Sequence, residues 1–510
     1  MLKMTNIYVN LNVPRGEVDP KIFGHFCEHA FGNIYGGYYD PGNPNADADG
    51  FRLDVIEALK EVAPTIMRYP GGNFVSNYHW EDGIGPKENR KKVFEYAWLT
   101  EESNQFGTAD FIEICRRVGA EPLICVNMGT GTIEEAMHWI EYCNGTGDTY
   151  YANLRRSHGY EEPFGVKYWG LGNESYGPWQ MNNYTAEEYA DKAFQFAKAL
   201  KWVDPTIKLV ACGYEQITDW NVTVVKKLWQ MIDYISAHHY SCVWGPFNQE
   251  NYLETMCIGD YMEKLHKMTC SAITAGMNDT ASSIKVAWDE WNFNGWALEN
   301  AEDDKAYTLQ NALVTALILN MFIRNGETIG MANYSTFVNI TGALSVTEQG
   351  IVRRAQFPVF ELLRHQTGKQ IYQADVVGES YSVKLPQSQK IGREKISIDL
   401  LELFSGNDGD NHRSSYVDAA VTGDEDGTIY VSLVNKHPEE DMEVSLHFFW
   451  EKEVTSLEGY TIYAEEIDAA NTADRPDTIK VQKLDSAATK ENRCDIVLKK
   501  HSINVLKFKK

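Results

Sequence analysis

Two glutamates stand in surroundings that suit sugar chemistry. Glu174 lies in Tyr168-Trp-Gly-Leu-Gly-Asn-Glu-Ser-Tyr-Gly-Pro-Trp179, and Glu290 lies in Val286-Ala-Trp-Asp-Glu-Trp-Asn292. Each follows a short apolar run that reads as a buried strand, so each carboxyl is expected where a strand gives way to a loop. The two are 116 residues apart. In an alternating β/α chain of ~40 residues per unit this is about three units, and two strand ends of one barrel then bring the carboxyls face to face across a pocket. One protonated and one ionised carboxyl are the minimum equipment for breaking a glycosidic bond. Taken singly, each glutamate reads as well as a helix cap. The aromatic and amide residues around both favour the catalytic reading.

Eight apolar runs supply the strands that must position them: Ile22–Phe26, Pro64–Arg68, Pro122–Asn127, Val166–Leu171, Ile207–Cys212, Tyr234–Ala237, Ile284–Trp288 and Thr328–Tyr334. Helical patterns fall between them. Phe51, Val55, Ile56, Leu59 and Val62 recur at helical spacing. Thr108 opens a helix that Gly119 closes, and Thr132 with Glu135, like Thr185 with Glu188, has the spacing of a capping box. Pro205 stops the helix that begins at Thr185. Eight such alternations, with no glycine-rich dinucleotide fingerprint, predict an α/β fold, a (β/α)8 TIM barrel over residues 17–355. Beyond residue 356 the pattern changes to short alternating strands, as in Thr428–Asn435, Glu443–Phe449 and Ser502–Phe508, with polar turns such as Ser405–Asp410. These predict a jelly-roll-like β-sandwich from residues 356–510, joined by the alternating residues 1–16.

The chain has 510 residues and a formal net charge of −25. Such a charge repels nucleic acid and anionic membrane and suits a neutral substrate. The aromatic content of 12% supplies faces for sugar rings, although large cores use aromatics too. The longest apolar stretch, Ala312 to Ile323, is too short to span a bilayer and reads as a buried helix. No export signal is legible at the amino terminus. Nine scattered cysteines without a CxxC pair read as reduced thiols of a cytoplasmic protein. No motif calls for a cofactor.

Several further motifs complete a pattern. They are Gly24-His-Phe-Cys-Glu-His29 with Ile34-Tyr-Gly-Gly37, Met67-Arg-Tyr-Pro-Gly-Gly-Asn73 with Tyr78-His-Trp80, Gly177-Pro-Trp-Gln180, His238-His-Tyr240 and Met331-Ala-Asn-Tyr334. With the two glutamate motifs, in this order and spacing, the chain resembles the α-L-arabinofuranosidases of glycoside hydrolase family 51 over most of its length. The Arg-Tyr-Pro-Gly-Gly-Asn block is the most restricted of these signals. The resemblance implies an exo-acting enzyme that retains configuration, acts on arabinan- or arabinoxylan-derived oligosaccharides without a metal, and is commonly a homo-oligomer, a hexamer. It implies Glu174 as general acid/base and Glu290 as nucleophile. It places Asn173 at the sugar 2-hydroxyl, Glu28, Arg68 and Asn73 at the outer hydroxyls, His238 and Tyr240 beside the nucleophile, and Trp98 as an aromatic wall. The charge of Glu290 and partial burial are expected to raise the pKa of Glu174.

Plainer readings stand beside these. Arg68 is also read as a buried structural ion-pair partner, and Gly71-Gly72 as a tight turn. His25, Cys27, Glu28 and His29 invite a metal reading, which strand alternation opposes. The same alternation predicts that only one of His238 and His239 lines the pocket, with His238 favoured. Cys27, Ala30–Asn33, Asn292–Trp296 and Val352–Phe360 depart from the family pattern, which bears on specificity more than on chemistry. The other readings of the whole chain are a related retaining glycosidase, such as an endo-β-glucanase, or a sugar-binding protein with a dead site.

Overall fold

Eight parallel strands close into a barrel in chain order: Gly24–Phe26 (β1), Ile66–Tyr69 (β2), Glu121–Val126 (β3), Tyr168–Leu171 (β4), Lys208–Ala211 (β5), Tyr234–Cys242 (β6), Lys285–Asn294 (β7) and Ile329–Tyr334 (β8). The computed structural model describes residues 4–242, 250–279, 282–296, 298, 301–384, 411–484 and 489–510. The turn expected at Ser405–Asp410 lies outside them. Each expected apolar run contributes one barrel strand, and the differences are at the ends. Pro20–Phe23 forms a 3-10 turn, capped by Asp19 with proline in its first turn, so only Gly24–Phe26 pairs. β6 and β7 run well past Ala237 and Trp288. They hold each other in register as far as Cys242 opposite Asn294, with His238 opposite Glu290. Glu290 therefore belongs to a strand, not to a loop beyond one.

The helices begin and end where local chemistry dictates. Thr132 and Thr185 each accept from the backbone N–H three residues on, while Glu135 and Glu188 reach back, so both capping boxes form. Thr108–Val118 ends at Gly119, whose φ of +76° is the left-handed conformation that glycine tolerates. The apolar stretch around Ala312 is the helix Leu309–Arg324, buried nearly all round. It packs on β7 and also on strands of the second domain. Its polar residues tie the two together. Asn320 Nδ2 and Arg324 Nη1 each donate to the Asp418 carboxylate at 2.8 Å. No helix among the described residues is long and apolar enough to cross a membrane.

The second domain is two sheets over one core. A five-stranded sheet includes Thr5–Asn10, parallel to Met442–Phe449, and a seven-stranded sheet carries Val417–Gly423, Thr428–Asn435 and Ser502–Lys509. Alternate residues of both sheets meet: Ile7, Val9, Val444 and Leu446 from one, Val421, Val431, Leu433 and Phe508 from the other. Gly16–Glu17 also pairs into the larger sheet, against Gln370–Tyr372. Among the described residues, the sandwich supplies none of those that line the barrel mouth.

Candidate active site

A cavity of about 350 Å³ opens at the carboxyl ends of the barrel strands, and both glutamates line it. This is where such barrels place their chemistry. A larger hollow of about 540 Å³ lies over Asp260, Lys264 and Lys267 on the outer helices and contains none of the site residues.

Glu290 is held by two donors. Arg68 Nη1 donates to Oε1 at 2.6 Å and the Tyr240 hydroxyl donates to Oε2 at 2.9 Å. The same guanidinium donates from Nη2 to Asn173 Oδ1 at 2.7 Å and brings Nε to 3.2 Å from Asp289 Oδ2. Its rigid fork, 1% exposed and over the Phe26 ring, thus fixes three side chains at once. The two readings of Arg68, structural ion pair and site residue, merge: it is a buried ion-pair partner whose pairs are the site. Tyr240 also meets Ser335 Oγ at 2.6 Å and accepts from the Trp296 indole at 3.0 Å.

Glu174 follows β4 with a φ of +40°, a conformation few non-glycine residues adopt and one that concentrates at functional sites. Trp179 Nε1 donates to its Oε2 at 2.6 Å, and His238 Nδ1 lies 3.0 Å from its Oε1. The expected rise in the Glu174 pKa is not what this arrangement produces. Burial does push it up, but the His238 hydrogen bond and charge, the Trp179 indole and Arg68 outweigh that and hold it below the ordinary glutamate value. His238 moves the other way. Burial pulls it down, yet the charges of Glu290 and Asp289 with the hydrogen bonds to Asp289 and Glu174 raise it well above the usual imidazole value. The two shifts favour an ionised Glu174 beside a protonated His238, and the two groups titrate as a pair.

Glu28 ends β1 on the far side of the cavity. Its Oε1 accepts from the Phe74 backbone at 3.1 Å and from Trp98 Nε1 at 3.2 Å. Burial first, then the charge of Glu290, push its carboxyl up to about 8, against the donors that face it. Trp98 stacks on Trp296 with centroids 5.2 Å apart, so the aromatic wall is a pair. Asn73 lines the cavity beside Gly72 and accepts from Gln180 Nε2 through Oδ1. The two glycines let the backbone approach: a Cβ on Gly71 would stand 2.5 Å from Glu28 Cγ, and one on Gly72 3.0 Å from Glu290 Oε1. Gly71→Ala is accordingly expected to displace Glu28 and lower kcat/KM about 100-fold, the order that misplacement by an ångström costs. Native circular dichroism with unchanged kcat/KM would refute that role of the turn.

His25 stacks on Phe337 at 3.7 Å and His29 pairs with Glu102 at 3.0 Å, so Glu28 alone of the 25–29 group faces the cavity. His238 and His239 both border it, against the expectation of one. The register of β6 on β7 shifts between Ser236 and His238, which breaks strict alternation. Among the described residues, the His239 ring nitrogens meet no partner. Asp289 stood within the glutamate motif without a role. A register shift between Trp288 and Trp291 lets both it and Glu290 reach Arg68. Gln180, Trp179 and Trp296 stood within quoted motifs without a role. Glu215 carried no signal at all.

A closed parallel barrel with paired carboxylates at its mouth, walled by indoles and floored by amides, defines a glycoside hydrolase. Comparison with known proteins narrows this. An α-L-arabinofuranosidase 1 domain matches residues 58–287, and an α-L-arabinofuranosidase C-terminal domain matches residues 289–502. A probable α-L-arabinofuranosidase C of Aspergillus clavatus is 35% identical over 97% of this chain and 95% of its own. An intracellular exo-α-(1→5)-L-arabinofuranosidase 1 of Bacillus subtilis is 34% identical over the whole of both chains. The α-L-arabinofuranosidase of Thermotoga maritima, solved with arabinose, superposes with a TM-score of 0.86 at 33% identity, covering 99% of this chain and 100% of its own. The thermostable family 51 enzyme of Thermotoga petrophila gives 0.85 at 33% identity, covering 99% of each chain. The chain belongs to the α-L-arabinofuranosidases of glycoside hydrolase family 51.

Proposed function

We propose that this enzyme releases terminal arabinofuranose, with retention of configuration, from short arabinan- or arabinoxylan-derived oligosaccharides. The observation that carries the mechanism is the carboxylate spacing. An oxygen of Glu174 and one of Glu290 lie within 4.8 Å of each other. This suits the ~5 Å gap of double displacement better than the gap of ~6.5–9.5 Å across which an inverting site holds its water.

In the first step a Glu290 oxygen attacks the anomeric carbon while Glu174 protonates the departing oxygen. The C–O bond to the leaving group breaks and an ester to Glu290 forms. Glu174 must be protonated at that moment. A sugar that covers it adds desolvation, the effect here that favours its neutral form, and His238 Nδ1 at 3.0 Å is the donor beside it. In the second step Glu174, now ionised, takes a proton from water, which attacks the same carbon and expels Glu290. Arg68 and Tyr240 hold the Glu290 carboxylate for attack and receive it again as an anion. Asn173, fixed by Arg68, receives the 2-hydroxyl of the sugar. Glu28 and Asn73 receive the outer hydroxyls of arabinose.

Two inversions predict the α-anomer as first product, and the methyl α-glycoside when methanol competes with water. Proton NMR of the nascent sugar checks this. A β-anomer formed before mutarotation would overturn the mechanism. The intracellular Bacillus relative supports action in the cytoplasm on small oligosaccharides. We further infer a homo-oligomer, as in the family pattern, which sedimentation would test.

A further inference from the structure

The cavity wall opposite Glu28 comes from the residues after β5. β1 and β5 lie four strands apart in a closed ring of eight, so they face each other across the mouth. Tyr214, Glu215 and Gln216 line the cavity there. Glu215 is 3% exposed, as little as Glu28 at 1% and Glu290 at 5%, which line the same space. Its Oε1 accepts from Gln216 Nε2 at 3.2 Å. Among the described residues its Oε2 meets no donor, and neither the Tyr214 hydroxyl nor Gln216 Oε1 has a partner. A buried polar atom left unpaired costs about 1–3 kcal/mol. Three in consecutive residues on one cavity wall point to a ligand that brings its own donors and acceptors. The Tyr214 ring is stacked on Tyr176 at 3.9 Å and 4°, which holds this wall in place. Glu174 ends the neighbouring strand β4, so the acid stands between this wall and the Glu28 side.

We propose that Tyr214, Glu215 and Gln216 form a subsite for the leaving group, and that it takes the ring hydroxyls of a second sugar. The inference rests on arabinose lying at Glu28, since the departing group must then lie across Glu174 from it. Burial pushes the Glu215 carboxyl up to about 7. Near neutral pH it both donates to and accepts from a hydroxyl, which suits a sugar and gives no advantage to an aryl ring.

The test compares three substrates in Glu215→Ala and in the isosteric Glu215→Gln. Arabinobiose has a poor leaving group with ring hydroxyls. Methyl α-L-arabinofuranoside has a poor leaving group without them. The 4-nitrophenyl glycoside has a good one without them. In Glu215→Ala the kcat/KM ratio of arabinobiose to the methyl glycoside should fall at least ~10-fold, the loss of one charged hydrogen bond in a closed site. Glu215→Gln should show a smaller fall in the same ratio and serves alone if the alanine variant does not fold. A ratio within twofold of the unsubstituted enzyme overturns the proposal. So does a joint fall of arabinobiose and the methyl glycoside against the nitrophenyl substrate, because Glu215 would then act through the proton of Glu174. The placement of arabinose at Glu28 fails on a separate readout, an undiminished kcat/KM of Glu28→Ala on the nitrophenyl glycoside, where arabinose is the only sugar.

Discussion

Glu290→Ala is expected to lower turnover on the order of 10⁴-fold or more, as loss of the nucleophile does where a covalent intermediate carries the reaction. The fold should persist, since Arg68 keeps Asp289 and Asn173 as partners when Glu290 goes. Substrate affinity should change far less, because the groups proposed to receive the outer hydroxyls, Glu28 and Asn73, are untouched. Sodium azide provides the sharper part of the test. The shortened side chain leaves a space beside the Arg68 cation and the Tyr240 hydroxyl, both suited to a small anion. Azide there attacks from the nucleophile's side, opposite the leaving group, so an α-glycoside should give the β-arabinofuranosyl azide. Turnover near that of the unsubstituted enzyme, or azide rescue that yields only the α-azide, would remove Glu290 from the role.

Much of this arrangement is legible in the sequence because it is local. Apolar runs of four to seven residues, capping boxes at Thr132 and Thr185, and the glycine at 119 each state an element without reference to the rest of the chain. The glutamates are legible because strand ends and aromatic neighbours mark them. What is lost depends on register. Strict alternation sends His239 away from His238, and the shift in β6 cancels that inference; the shift in β7 likewise brings Asp289 to Arg68 beside Glu290. Pairs that meet only after the barrel closes, such as Gln180 with Asn73 or Trp98 with Trp296, have no sequence signature because nothing in their spacing relates them. The pKa of Glu174 fails for the same reason. Two carboxyls in sequence predict mutual repulsion, but the imidazole that reverses it comes from a third strand.

Glu174→Ala is expected to separate substrates by their leaving groups. Loss of a positioned general acid costs about 10²–10⁴-fold where the departing oxygen needs a proton. Methyl α-L-arabinofuranoside should suffer that loss in kcat/KM, whereas 2,4-dinitrophenyl α-L-arabinofuranoside, whose phenolate departs unaided, should lose little. The pH dependence follows from the shared proton. His238 is raised well above its usual value, so the Glu174–His238 pair keeps its proton at neutral pH and loses it only as the pH rises. In the unsubstituted enzyme the kcat/KM ratio of methyl α-L-arabinofuranoside, which does not reach Glu215, to the dinitrophenyl glycoside should therefore fall on the alkaline side. In Glu174→Ala the ratio should be low and flat. The ratio is the proper measure because Glu28, pushed up to about 8 by burial and by Glu290, titrates in the same range for both substrates and cancels. Equal losses on the two substrates, or an alkaline fall of the ratio that survives the substitution, would mean that the proton comes from elsewhere and that Glu174 is only a neighbour of the nucleophile.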